Sequence, residues 1–189
     1  PARDTITTLY YSILDMSLDG GRGDIIIKDQ PILRPTTEKV AAVRHCNGVD
    51  WWIIGHEANA TTGSNRVYSW LLSSSGLSAP IISAVGRPRA RTAGTKAGEL
   101  NISPDGLHIA MSTGPDFEID TPPLSTIELF GFDPVTGIVS NDIFIAEFIY
   151  QTFGLGLDLA YGLEFSPSSE FLYLARAGFV KDSILQYDI

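Results

Sequence analysis

Three observations predict an all-β fold for this chain of 189 residues. Short runs alternate apolar and polar side chains, as strands with one buried face do. The runs are separated by turn-forming pairs such as Asn47-Gly48 and Asp105-Gly106, the strongest short-range hairpin signal. One hairpin also recurs along the chain. Its clearest copy is Glu99-Leu-Asn-Ile-Ser-Pro-Asp-Gly-Leu-His-Ile-Ala-Met111, where Pro104 pre-sets φ and Gly106 accepts positive φ. Partial copies run from Val43 to Ile54 and from Gly162 to Ala175. No stretch demands a helix, and a hydrophobic content of 44% is enough for a sizeable core.

In chain order, the first strand covers Thr8 to Asp15, which is aromatic and β-branched. The glycines at 20, 21 and 23 turn it into a second strand, Asp24 to Leu33. Pro35 to Glu38 reads as a break. Strands are then expected over Val40 to His45, Trp51 to Gly55, Arg66 to Leu72 and Ala79 to Val85, with a polar loop from Ala58 to Asn65. Gly86 to Lys96 carries Arg87, Arg89, Arg91 and Lys96 and few apolar residues, so it reads as a solvated basic connector. After the repeated hairpin comes a loop from Ser112 to Leu124. Strands at Thr126 to Asp133 and Asp142 to Phe148 follow, then the hairpin from Tyr161 to Ala175 and a strand from Ser183 to Asp188.

The copies align. Asn47-Gly48, Asp105-Gly106 and Ser168-Ser169 occupy one turn position, and Ser75-Gly76 superposes on Thr136-Gly137. The period is roughly 55–65 residues with four short strands each, the pattern of a β-propeller blade with long loops. The expected divisions are a partial blade at 5–34, blades at 35–86 and 97–150, and a partial blade at 158–189. About three and a half blades make an open arc, because propellers close with about 4–8. An open arc leaves two blade faces uncovered. A wet apolar patch of ~500 Å² forfeits on the order of 12 kcal/mol, as much as a domain's whole stability. The expected partners are therefore the missing blades of a longer parent, a second copy or a partner chain.

The segments Leu9 to Gly21, Pro35 to Lys39, Ala42 to Ile54 and Ile127 to Ser140 resemble the N-terminal propeller region of large secreted Bacteroidetes-type surface proteins, which often end in a type IX secretion sorting domain. That resemblance implies an exported, non-enzymatic module, secreted or held at the cell surface, for protein or glycan interaction. It carries over no functional residues. Ser-Pro-Asp-Gly before a strand, and Phe-x-x-Asp-Pro-x-Thr-Gly, are also similar to the repeat of YVTN-like and lactonase-type propellers. This second resemblance implies the alternative, a lactonase-like or glycan-cleaving enzyme with its site in a central channel.

Composition narrows the rest. A formal charge of −9 repels phosphate and argues against a nucleic-acid partner. No apolar run approaches the ~20 residues of a membrane-inserted helix. The single Cys46 excludes an intrachain disulfide framework. For a channel site, the innermost strands offer Arg44, Glu99 and Glu164. Trp51 and Trp52 are the candidate sugar-stacking platform, against the alternative that aromatics fill the space between blades. Asp116, Glu118 and Asp120 share a spacing of two, so an extended chain would point three carboxylates one way. Calcium takes oxygen ligands of that kind and is the one cofactor considered. His45 and the pair His56-Glu57 flank one hairpin and could meet as metal ligands. Zinc would need three or four ligands, and a regular strand would turn Cys46 away from His45.

Overall fold

The structure, a computed structural model, describes residues 7–89, 92–115, 123–149, 159–177 and 182–189. The first strands, β1 (Leu9–Asp15) and β2 (Asp24–Leu33), pair as a two-stranded antiparallel sheet. A second sheet orders β3 (Thr36–Arg44), β4 (Trp51–Glu57) and β5 (Ser64–Ser73), and β5 then pairs with both the short β6 (Gly76–Leu77) and β7 (Ile81–Arg89). The third sheet runs β8 (Leu100–Ile102), β9 (His108–Thr113), β10 (Leu124–Phe132), β11 (Val139–Ile149). The fourth has three strands, β12 (Leu159–Phe165), β13 (Phe171–Ala177) and β14 (Ser183–Asp188). The molecule is all-β, a propeller segment of antiparallel sheets, which among the described residues close into no barrel. The one α-helical turn among the described residues, α1 (Ala93–Lys96), is capped by the Thr92 and Thr95 side chains.

The repeated hairpin is the same object each time. In all three copies the fourth turn residue has positive φ: Gly48 at 72°, Gly106 at 73° and Ser169 at 63°. Each donates its N–H to the carbonyl three residues back, on His45, Ser103 and Ser166 respectively. Those residues in turn donate to the carbonyls of Asp50, His108 and Phe171 at 2.8–2.9 Å. Sequence supplies glycine twice where the left-handed conformation is required. The third copy carries Ser169, whose hydroxyl accepts from Asp105 N–H of the neighbouring sheet at 3.1 Å.

The sheets stack face to face. Trp52, Ile54 and Val67 of the second sheet pack against Ile109, Met111, Phe130 and Phe132 of the third. The opposite face of the third sheet, through Ala110, Ile127 and Leu129, packs against Leu163, Phe165, Leu172 and Leu174 of the fourth. Strands β9 and β10 are therefore buried on both faces. Strands β3, β8 and β12 lie side by side at the inner edge of the stack, and β7 lies beside β11 at the outer edge. The outer turn of the third sheet also docks on the second: Trp52 Nε1 donates to the Pro134 carbonyl at 2.9 Å.

Three expectations are corrected. Pro35 to Glu38 is no break, since β3 begins at Thr36 with an irregular register between Thr36 and Val40. The cause is local: the Thr36 and Thr37 hydroxyls both donate to the His56 carbonyl and hold the bulge against β4. Gly86 to Arg89 is not a solvated connector but the end of β7. There Arg87 pairs with Glu147 across the sheets, and Arg89 is buried. The loop expected from Ser112 is shorter, because β9 continues through Thr113.

Two glycines test this account. Gly48 is left-handed with open space where a Cβ would stand, so Gly48→Ala should cost about 1 kcal/mol from backbone strain alone. Gly137, also left-handed, would place its Cβ 2.6 Å from the Trp52 ring. Gly137→Ala should cost clearly more, and the difference in urea midpoints between the two variants measures the fit between sheets.

Candidate functional site on the inner strands

The side-by-side packing of β3, β8 and β12 brings together residues far apart in sequence. An open pocket of about 450 Å³ lies there, with Glu38, Lys39, Glu99 and Tyr161 among its lining. Glu38 Oε1 accepts from Gly98 N–H at 2.9 Å and from the Tyr161 hydroxyl at 2.5 Å. Glu99 Oε2 accepts from Leu163 N–H at 2.7 Å. Asn101 Nδ2 donates to the Leu163 carbonyl at 2.9 Å and to Glu164 Oε2 at 3.3 Å. Ser112 Oγ donates to the Tyr161 carbonyl at 2.7 Å. These bonds tie the inner strands and the segment leading into β8 to one another, and Glu38 on the second sheet reaches Tyr161 on the fourth directly.

The electrostatics follow from that geometry. Burial raises the Glu38 pKa, but the hydrogen bonds from Tyr161 and Gly98 and the adjacent Lys39 outweigh it, so the carboxyl titrates below its ordinary range. The Tyr161 phenol is pushed up, first by its hydrogen bond to Glu38, then by burial and by the charges of Glu38 and Glu99.

Behind the pocket the space between the second and third sheets turns polar. Lys39 alternates along β3 with Ala41 and Val43 and is only 2% exposed. Its Nζ donates to the carbonyls of Thr95, Lys96 and Ala97 at 2.9–3.2 Å. Desolvation brings the Lys39 pKa down to about 7, against the opposing pull of Glu38 and Glu128. His56 continues the Trp52 and Ile54 face of β4, and neither ring nitrogen has a hydrogen-bond partner. Desolvation, with the Lys39 charge beside it, lowers its pKa to about 3, so the buried ring is neutral. Glu128 closes the layer by accepting from Arg87 N–H at 2.9 Å.

Of the residues singled out from sequence, Glu99 reaches the pocket and Glu164 lies beside it through Asn101. Arg44 does not: it sits at the far end of β3, its guanidinium 5.4 Å from the Trp51 ring centroid. Trp51 is exposed, as a stacking platform must be. Trp52, on the alternate face, is 3% exposed within the core between sheets, where no sugar can reach its ring. Asp116, Glu118 and Asp120 lie outside the described residues. His45 and His56 sit at opposite ends of β4. The chain leaves strand geometry at residue 45, and Cys46 Sγ comes 3.7 Å from His45 Nδ1 on the exposed turn. Among the described residues no group of three His, Cys, Asp or Glu is placed to hold a metal. Sequence reading missed Glu38, Lys39 and Tyr161. A lone lysine on the apolar face of β3 was the available signal.

The fold and its inner-strand arrangement define a β-propeller segment. No family model matches the chain, and no curated protein matches it. A Bacteroides uniformis crystal structure, provisionally named a 6-phosphogluconolactonase, is similar at 17% identity with a TM-score of 0.43. The match covers 81% of this chain and 37% of that one, so the chain spans little more than a third of that protein's length.

Two titrations check the site. The difference in ultraviolet phenolate absorbance between the native chain and Tyr161→Phe should show a tyrosine titrating above the ordinary value of about 10, and Glu38→Gln should return it toward that value. His56 is depressed in the folded state, so the unfolded chain binds the extra proton below about pH 6.5. Its contribution to stability is present above that pH and is lost as pH falls toward 3. The acid slope of the melting temperature should be shallower in His56→Leu than in the native chain.

Proposed function

We propose that this chain is a non-enzymatic propeller module for protein or glycan interaction and scaffolding, working outside the cell or at its surface. The supporting observation is how the inner-strand carboxylates are used. A catalytic carboxylate has to be directed at substrate. Here Glu38 accepts the Gly98 N–H of the segment leading into β8, Glu99 accepts the Leu163 N–H of the fourth sheet, and Tyr161 is directed at Glu38. These groups join blades. The export and surface location rest on the family resemblance alone. For glycan, the accessible group is Trp51 with Arg44 beside it.

The alternative, a lactonase-like or glycan-cleaving enzyme, is favoured by one feature: two carboxylates and a phenol border the same open pocket. Substitution at Glu99 separates the two readings. Glu99→Ala leaves Leu163 N–H without its acceptor and should cost about 1–3 kcal/mol, whereas Glu99→Gln keeps an acceptor oxygen and should cost less. Neither variant should change hydrolysis of a sugar δ-lactone, which should match buffer in the native chain. Hydrolysis above buffer that disappears in a folded Glu99→Gln variant would overturn the proposal in favour of the enzyme.

A further inference from the structure

We infer that the carbonyls of Thr95, Lys96 and Ala97 form a site for one large monovalent cation, and that the chain fills this site with its own Lys39 ammonium group. This goes beyond the proposed interaction role and concerns the joint between the second and third sheets.

The three carbonyls lie on the connector that leads through α1 into β8. The last carbonyls of a helix have no partner within it and carry the negative end of its peptide dipoles. Here three of them turn to one point, where Lys39 Nζ stands at 3.2, 3.2 and 2.9 Å. The ammonium comes from β3, 56–58 residues earlier in the chain. Backbone carbonyls are the ligands with which potassium sites replace water. Calcium takes oxygens at about 2.3–2.6 Å and magnesium at about 2.0–2.1 Å. Distances of 2.9–3.2 Å suit ammonium and the larger monovalent ions instead.

Contacts that do not involve Lys39 hold the connector in this shape. Thr92 and Thr95 cap α1 reciprocally. Gly114 N–H donates to the Ala97 carbonyl at 3.3 Å. The connector also meets the end of β9 backbone to backbone. A Cβ on Gly98 would stand 2.2 Å from the Ser112 oxygen, and one on Gly114 2.4 Å from the Gly94 oxygen. Glu38 holds the Gly98 N–H, so adjacent residues of β3 grip the connector with opposite charges. The carboxylate takes its donor and the ammonium its acceptors. Carbonyls fixed from outside in this way keep their arrangement when the ammonium is removed. The surrounding charges favour a cation as well: Glu38 and Glu128 both attract the Lys39 charge, and the buried His56 ring is neutral.

The test exchanges the tethered ion for a free one. Lys39→Ala removes the ammonium and its stem, and the whole chain should lose stability. Ammonium or potassium chloride at about 100 mM should then raise its melting temperature by about 3 °C over tetramethylammonium chloride, and saturably, as a ligand of the folded state does. Calcium chloride at matched ionic strength should act like the tetramethylammonium control. The native chain should melt alike in all four salts. Lys39→Met loses the charge but keeps the stem's volume, so it should not respond. Equal melting of Lys39→Ala in every salt would overturn the inference. So would an equal response in Lys39→Met or the native chain, because the salts would then act elsewhere. The native chain gives a reading that needs no variant. At pH 6, below the Lys39 pKa of about 7, a nitrogen-15 spectrum should show one lysine ammonium whose protons exchange with water at least tenfold more slowly than those of the other lysines. Uniformly fast exchange would overturn the inference even if Lys39→Ala fails to fold.

Discussion

The third sheet of this molecule cannot stand alone, and the rest of the structure depends on that. Strands β9 and β10 carry apolar side chains on both faces: Ile109, Met111, Phe130 and Phe132 on one, Ala110, Ile127 and Leu129 on the other. A sheet in water can solvate one face only if that face is polar. Here both must be covered, so a sheet packs on each side. The close approach of Gly137 to Trp52, and the Trp52 bond to the Pro134 carbonyl, fix the relative position of the second and third sheets.

Stacking by apolar contact alone leaves the inner edges free to slide. The polar bonds among β3, β8 and β12 remove that freedom, because each has a direction and a length. Glu38 holds the Gly98 N–H of the segment leading into β8, and Glu99, Asn101 and Ser112 each bond to a backbone group of β12. Lys39 fixes the chain between β7 and β8 by gathering three carbonyls around one ammonium group. A carboxylate satisfied in this way is a poor general base, so the arrangement that accounts for the order of the inner strands also supports the scaffold reading proposed above.

How much of this was legible depends on the range of the interactions. Period-two alternation, turn pairs and the repeated hairpin are local, so strands such as Asp24–Leu33 and Ser183–Asp188 could be read directly, and so could the shared left-handed turn position. Which tryptophan is buried depends on which face of β4 meets another sheet, and adjacent residues Trp51 and Trp52 look alike until that face exists. Pro35 to Glu38 read as a break because its strand is held by Thr36 and Thr37 bonding to His56, about twenty residues on. Sequence by itself determined the strands, their turns and their blade-like grouping, because those rest on neighbours along the chain. Only the tertiary structure decided that Glu38, Glu99 and Tyr161 meet and that Lys39 and His56 are buried, because each depends on how separate sheets pack against one another.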